Sequence, residues 1–295
     1  MKLIFLNRYF YPDISATSQM LSALAFHLAA EGAEVHVIAS RQGYEDPSAN
    51  AAAREDIDGV CVHRIWTSRF GRRRLRGRAI DYLSFNLAAM IELFGVARRG
   101  DIVIAMTDPP MISVPAALVA RLRGARLVNW LQDVFPDIAE RVFIPLGIAG
   151  DVARILRNFS LRRAAANVVL GDRMRDKLLS ISGVAPVRVI HNWADGTVVE
   201  PVSNGSNPLR EEWGLSGKFV VAYSGNMGRA HEFETILNAS KILRADERIV
   251  FLFIGGGHHR EQLEKLAGGR EIRVEIPVEE YQLHPEESII GAQNN

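Results

Sequence analysis

Leu3–Asn7 reads LIFLN, residues 8–17 read RYFYPDISAT, and Glu34–Ser40 reads EVHVIAS. The first and last of these are short apolar runs, the pattern of strands buried in a parallel sheet. Between them Met20, Leu24 and Leu28 recur at helical spacing, with Thr17 or Ser18 as the expected cap and Gly32 as the stop. Strand, helix and strand in such close succession make a βαβ unit, and hence a parallel sheet.

Working outward, GVCVHRIW (Gly59–Trp66), DIVIAM (Asp101–Met106), RLVNWLQ (Arg126–Gln132), NVVL (Asn167–Leu170) and VRVIHNW (Val187–Trp193) read as further strands, with helical patterns between most of them. Residues 1–197 are therefore expected to form one doubly wound, Rossmann-like α/β domain. Residues 198–217, VVEPVSNGSNPLREEWGLSG, are rich in Pro, Gly, Ser and Asn and are expected to be a linker. The pattern then restarts: KFVVAYSG, RIVFLFIGGG and EIRVEI read as strands, with helices over Glu232–Leu243 and Glu261–Ala267. Residues 218–276 thus read as a smaller second α/β domain and 277–295 as an acidic tail. Two such domains place a ligand cleft at the carboxyl ends of both sheets.

The 295 residues carry 48% apolar and 23% charged side chains, which excludes a disordered chain. Net charge is +1, so bulk charge gives no sign of a nucleic-acid binder. A single cysteine, Cys61, leaves no partner for an internal disulfide and is not expected to form a Cys-based zinc site, and the eight histidines show no metal-ligand spacing, so no metal is expected. The amino terminus lacks a signal-peptide pattern, and the longest apolar stretch, Ala79–Ala97, is interrupted by Asp81 and Glu92. The expected location is the cytoplasm.

The chemistry concentrates at strand ends. Tyr223–His231, YSGNMGRAH, follows a strand and precedes a helix. Gly225 and Gly228 permit close backbone approach, Arg229 adds a positive charge, and Asn226 and His231 add polar side chains. This makes either a diphosphate cradle or an ordinary glycine turn. Gly255, Gly256 and Gly257 follow the next strand and read either as a site of close ligand approach or as a connector. The first βα turn lacks G-x-G-x-x-G, which argues against a nicotinamide or flavin enzyme. Polar loops carrying Asp108, Asp133 and Asp137 end two strands of the first half; they hold an acceptor or serve as caps and turns. Arg69–Arg78 holds six arginines, among them Arg72, Arg73, Arg74, Arg76 and Arg78, and runs into the apolar stretch at 79–97. That segment reads equally as an anionic-membrane contact and as a core helix behind a solvated basic loop.

Together FYPDISATSQML (Phe10–Leu21), TDPP (Thr107–Pro110), WLQDVFPD (Trp130–Asp137), VIHNWAD (Val189–Asp195), YSGNMGRAHEF (Tyr223–Phe233) and FIGGG (Phe253–Gly257) resemble the family-4 retaining glycosyltransferases of GT-B fold. The resemblance is to the branch that builds colanic acid, O-antigen and related bacterial exopolysaccharides. It implies transfer of a sugar from a nucleotide diphosphate sugar, with retention and without a metal or cofactor. On that carry-over Gly225, Asn226, Gly228, Arg229 and His231 bind the donor diphosphate, and Gly255–Gly257 lie on the nucleotide side. Asp133 is the catalytic candidate, with Asp13, Thr17, Asp108 and Asp137 on the acceptor side. The resemblance further implies a lipid-linked or oligosaccharide acceptor and peripheral attachment at the inner face of the cytoplasmic membrane, through the arginines at 72–78.

The family pattern stops after about residue 272, before the βα units that carry a pair of glutamates contacting ribose and donor sugar. The second domain is thus expected to be incomplete, either as a truncated or frameshifted product or as a natural short form, and prone to aggregation. A catalytically silent membrane-associated module and a sugar-nucleotide epimerase of the same fold are the alternatives.

Overall fold

In the computed structural model, residues 1–44, 51–70, 75–141, 146–194, 196, 202, 207–228, 231–257, 259–266 and 272–275 are described. The chain divides into two compact units, Met1–Trp193 and Ala194–Asn295.

The first unit is built on β1 (Lys2–Leu6), α1 (Ala16–Ala30), β2 (Glu34–Ser40), β3 (Arg54–Ile57), β4 (Val60–Ile65), α2 (Leu75–Val96), β5 (Ile102–Ala105), α3 (Ser113–Arg123), β6 (Arg126–Leu131), α4 (Asp137–Arg141), α5 (Gly147–Arg163), β7 (Ala166–Val169), α6 (Asp172–Leu179) and β8 (Val187–Val189). Its eight strands lie in the order β3-β4-β2-β1-β5-β6-β7-β8. All pairings are parallel except that of the edge strand β3 with β4. That hairpin was not expected from the sequence. Asp58 (φ 49°) and Gly59 (φ 79°) both take the left-handed conformation that a two-residue hairpin turn demands. The helix α1 starts after Ser15 rather than at Thr17 or Ser18, and it ends as expected at Gly32, φ 85°. There the Gly32 and Ala33 amides donate to Ala29 and Leu28 at 2.9 Å each.

Strand alternation sorts the core into two layers. Ile4, Leu6 and Ile38 pack with Phe85, Ala89 and Leu93 of α2 and with α3, while Phe5, Val35, Val37, Val60 and Val62 pack with Leu21 and Ala25 of α1. Burial of the valine, leucine, isoleucine and phenylalanine side chains among these contributes roughly 1.5–3 kcal/mol each. A polar pair interrupts the apolar interior between β6 and β7. Asn129 and Asn167 are register partners on β6 and β7, and the Asn129 amide donates to Asn167 Oδ1 at 2.8 Å. Asn167 in turn donates to Leu161 O at 3.0 Å, and Ser160 Oγ donates to Asn129 Oδ1 at 3.2 Å.

Helix α2 has two apolar faces. Phe85, Ala89, Leu93 and Val96 are buried, whereas Ile80, Leu83, Leu87, Ile91 and Phe94 form an exposed stripe, with Ile91 71% exposed. Among the described residues, Arg76–Val96 is the one helix long and apolar enough, by length and composition, to cross a membrane. The Asp81 that interrupts it in sequence is buried, accepting hydrogen bonds from Ser68 Oγ at 2.6 Å and the Phe70 amide at 3.0 Å.

In the second unit β9 (Phe219–Ser224), β10 (Ile249–Ile254) and β11 (Ile272–Glu275) form a parallel sheet in the order β11-β10-β9, with α8 (Glu234–Leu243) and α9 (Arg260–Leu266) as connections. Met227, Phe233, Leu237, Phe251, Phe253 and Leu263 form its core. Within the stretch expected as linker, Pro208–Glu212 is helical (α7). Asn207 Oδ1 accepts from the Leu209 amide at 3.1 Å and Pro208 occupies the first helical position, both start signals for a helix. Leu215 then packs with Val250 and Leu252, so part of that stretch belongs to the second unit's core.

Replacing Asn167 by alanine leaves the Asn129 amide buried without its acceptor. We expect Asn167→Ala to lower unfolding free energy by about 2–4 kcal/mol, from the lost bonds and the cavity, as measured by urea denaturation.

Candidate functional site

β1 lies between β2 and β5, and the chain leaves it toward one side of the sheet and leaves β5 toward the other. At such a reversal the loops beyond the carboxyl ends diverge and leave a crevice. A cavity of about 270 Å³ occupies this position, lined by Arg8 and Tyr9 after β1, Thr107 and Asp108 after β5, Gln132 and Asp133 after β6, and Thr17, Tyr44, Arg78 and Tyr82 from around it. The floor is fixed by backbone hydrogen bonds: the Arg8 amide donates to Asp108 O at 2.6 Å, and the Ser40 amide donates to Arg8 O at 2.8 Å. Thr17 Oγ1 is held by Asn7 Nδ2 at 3.3 Å.

The lining combines buried charge of both signs. Arg8 is buried, and its guanidinium lies 5.3 Å from the Tyr9 ring centre and 5.4 Å from that of Tyr82. Arg78 donates to Tyr82 Oη at 2.7 Å. Burial, and after it the charge of Asp108, pushes the Asp133 carboxyl up to about 6. Three buried polar atoms, Arg8 Nε, Gln132 Nε2 and Asp133 Oδ1, have no hydrogen-bond partner among the described residues. Buried polar atoms in folded proteins are nearly always paired, so three orphans lining one crevice are the signature of a site that pairs them with a ligand or water.

The sequence candidates separate by role. Asp133, Asp108, Thr17 and Arg78 line the cavity. Asp13 instead ties its own loop: its carboxylate accepts from the amides of Ser15 at 2.8 Å and Tyr44 at 2.5 Å. Asp137 joins α4 to α5 and α6 through Arg157, through Arg154 at 3.8 Å and through Lys177 at 3.3 Å. Burial alone would raise its carboxyl, but Arg157 and then Lys177 outweigh that and hold it below the usual carboxylate range. Arg76 is exposed, and Arg72, Arg73, Arg74 and Arg229 lie outside the described residues. Gln132 belongs to the polar loop 132–137 read from the sequence as holding an acceptor or forming a turn, whereas Arg8, Tyr9, Tyr44 and Tyr82 were not anticipated; Arg8 and Tyr9 had a signal in their place immediately after the first strand. Residues without metal-ligand spacing along the chain are nonetheless brought together in space: His36, Cys61 and His63 place three ligand atoms within 4.8 Å of one another.

In the second unit the two glycine segments meet each other. The Gly225 amide donates to Ile254 O at 2.9 Å and the Met227 amide to Gly256 O at 2.7 Å. A Cβ on Gly255 (φ 133°) would stand 2.2 Å from Gly225 O, and one on Gly257 (φ 132°) 2.7 Å from Met227 N. Neighbouring backbone thus requires glycine at both positions, whereas Gly256 faces open space. Gly225 has φ 143°, and a Cβ on Gly228 would meet the Asn226 side chain at 3.3 Å. His231 Nδ1 lies 2.9 Å from Tyr223 Oη, which also donates to Asn226 O at 3.0 Å. These bonds fix the loop after β9 so that Gly225, Asn226 and Gly228 border the carboxyl end of the sheet.

Comparison with known proteins gives the family. The "Probable glycosyltransferase WbjE" of Pseudomonas aeruginosa is 29% identical over 68% of this chain and 50% of its own length. The "Putative colanic acid biosynthesis glycosyl transferase WcaI" of Escherichia coli K12 is 28% identical over 92% of this chain and 70% of its own length. The chain thus spans half of the first relative and about 70% of the second. Among solved structures, Anabaena Alr3699/HepE in complex with UDP-glucose superposes with a TM-score of 0.64 at 14% identity, covering 94% of this chain and 69% of that one. The fold is the α/β fold of the GT-B glycosyltransferases. Residues 16–193 match the glycosyl transferase 4-like domain, and the chain belongs to that family.

Proposed function

We propose that this protein transfers a sugar from a nucleotide diphosphate sugar to a glycan acceptor, lipid-linked or oligosaccharide, in cell-surface polysaccharide synthesis, with retention at the anomeric carbon. The observation that carries this reading is the crevice between β1 and β5, where the orphaned Asp133 Oδ1 and Arg8 Nε line one cavity in a chain of this family. The named activities of WbjE and WcaI and the UDP-glucose bound by HepE support it.

In this reading the crevice of the first unit takes the acceptor. The Asp133 carboxylate accepts a hydrogen bond from the acceptor hydroxyl and orients its oxygen for attack. Arg8, Tyr9 and Tyr82 flank the sugar ring. The loop after β9 takes the donor diphosphate: Gly225, Asn226, Gly228, Arg229 and His231 supply donors and positive charge as the bond from anomeric carbon to phosphate oxygen breaks. The acceptor proton passes to the departing diphosphate, and the residues named here need no metal for that transfer. The exposed stripe on α2, with Arg76 and the arginines at 72–74 at its amino end, rests on the anionic inner face of the cytoplasmic membrane.

Three outcomes test this. In the folded protein Asp133 titrates at about 6 against an ordinary 3.8, so ionising it opposes folding. That cost is absent at low pH, grows as pH rises from about 4 to 6, and levels off near 3 kcal/mol above that. Asp133→Asn is therefore expected to stabilise the protein by up to about 3 kcal/mol at neutral pH and by little near pH 4, while sugar transfer falls at least 100-fold. A variant that is less stable and fully active excludes the proposed role. Isothermal calorimetry is expected to show UDP or GDP binding weakened about tenfold or more by Arg229→Ala; no heat with either nucleotide at millimolar concentration removes the donor assignment. Co-sedimentation with anionic vesicles is expected to fall with added salt and with Leu83→Glu/Leu87→Glu, and binding indifferent to both removes the membrane assignment.

A further inference from the structure

Away from the crevice, the face of the sheet beneath α2 carries a polar cluster. The register pairs His36 of β2 with Cys61 of β4, and Ile38 with His63. Alternation therefore sets all three polar side chains on the face that α2 covers. His36 Nδ1 stands 3.0 Å from His63 Nε2, and Cys61 Sγ stands 3.4 Å from the same nitrogen. The outer nitrogens face carboxylates, with His63 Nδ1 2.8 Å from Glu92 Oε1 of α2 and His36 Nε2 3.5 Å from Glu34 Oε1. Both rings are well buried, their side chains 13% and 6% exposed.

Counting protons shows what the arrangement lacks. Carboxylate, imidazole, imidazole and carboxylate make three successive contacts, and each needs a hydrogen between its two acceptors. Two neutral rings carry only two. Each ring can point its N–H outward to a carboxylate and the Cys61 S–H can point to His63 Nε2, but the two inner nitrogens then face each other at 3.0 Å with no hydrogen between them. A divalent cation fills that place, and the outer N–H to carboxylate bonds are those by which metal-bound histidines are held. A tetrahedral zinc-type ion, with bonds of about 2.0–2.1 Å to nitrogen and 2.3 Å to sulfur, separates its ligand atoms by roughly 3.3–3.6 Å. The two separations from His63 Nε2, 3.0 and 3.4 Å, need an adjustment of a few tenths of an ångström, and all three ligand atoms lie within 4.8 Å of one another.

We propose that His36 Nδ1, His63 Nε2 and the Cys61 thiolate bind one zinc-type divalent ion, with water as the fourth ligand and Glu34 and Glu92 positioning the rings. On binding, the sulfur–metal bond replaces the S–H bond and the thiol proton leaves to solvent. The site is structural. It lies at the amino-terminal half of β2 and in β4, away from the carboxyl edge that forms the crevice, and it joins these two strands to α2.

The test uses the full, tag-free chain after chelation. Titration with Co²⁺ is expected to saturate at one equivalent, with visible ligand-field bands and a near-ultraviolet thiolate-to-cobalt band, all displaced by Zn²⁺. Cys61→Ser is expected to remove the thiolate band, and Glu92→Gln to weaken binding about 10–100-fold. Because Cys61 is the only cysteine, thiol alkylation of the unmutated chain reports on it alone, and Zn²⁺ is expected to slow that reaction at least tenfold. An unchanged alkylation rate with saturating Zn²⁺, or cobalt binding without a thiolate band, overturns the site whether or not the variants fold.

Discussion

β1 is hydrogen-bonded to parallel neighbours on both sides, β2 and β5, and the remaining strands of the first unit build outward from that pair of contacts. Crossovers between parallel strands are right-handed, so the helix after β1 covers one face while the helix after β5 covers the other. The segments leaving β1 and β5 therefore separate at the carboxyl edge, and among the described residues the space between them is left as the crevice. Arg8 and Asp108 stand on either side of that gap, joined by a backbone hydrogen bond beneath it.

Most of the first unit could be read from its residues because its strands are short apolar runs punctuated by helix caps and stops. The hairpin strand β3 escaped because REDI is polar and sits at a sheet edge, where neither face demands an apolar run. Asp58-Gly59 was the available signal. The helix α7 was hidden by composition, since the prolines and asparagines that mark a linker also mark a helix start. Around the crevice, Asp108 and Asp133 were legible as polar residues at strand ends, and Thr17 only through the family resemblance, its position having read as a helix cap. Tyr82 and Arg78 were not, because they reach the cavity from α2, far along the chain from the strands they serve. Asp13 and Asp137 lie in the same loops as the lining residues but point their carboxylates into the protein's own amides and cations. Sequence position alone does not separate those two outcomes.

The glycines of the second unit carry a related lesson. Gly255 and Gly257 are required because the turn at Gly225–Met227, whose amides donate to Ile254 O and Gly256 O, leaves no room there for a Cβ. The loops after β9 and β10 thus form one joined rim, and residues bordering it inherit their positions from a backbone-to-backbone contact. The histidine and cysteine cluster shows the reverse case. His36, Cys61 and His63 have no informative spacing along the chain, and only strand register brings them together.

Helix α2 has 22 residues, a rod about 33 Å long. Its outer side presents bare aliphatic side chains, its first turns deliver Tyr82 and Arg78 to the crevice, and its last turns hold Glu92 against His63. Phe85, Ala89, Leu93 and Val96 seat this rod on the sheet along its length. One helix thereby holds an apolar outer flank, the phenol of Tyr82 at the crevice wall and the carboxylate of Glu92 at fixed separations from one another.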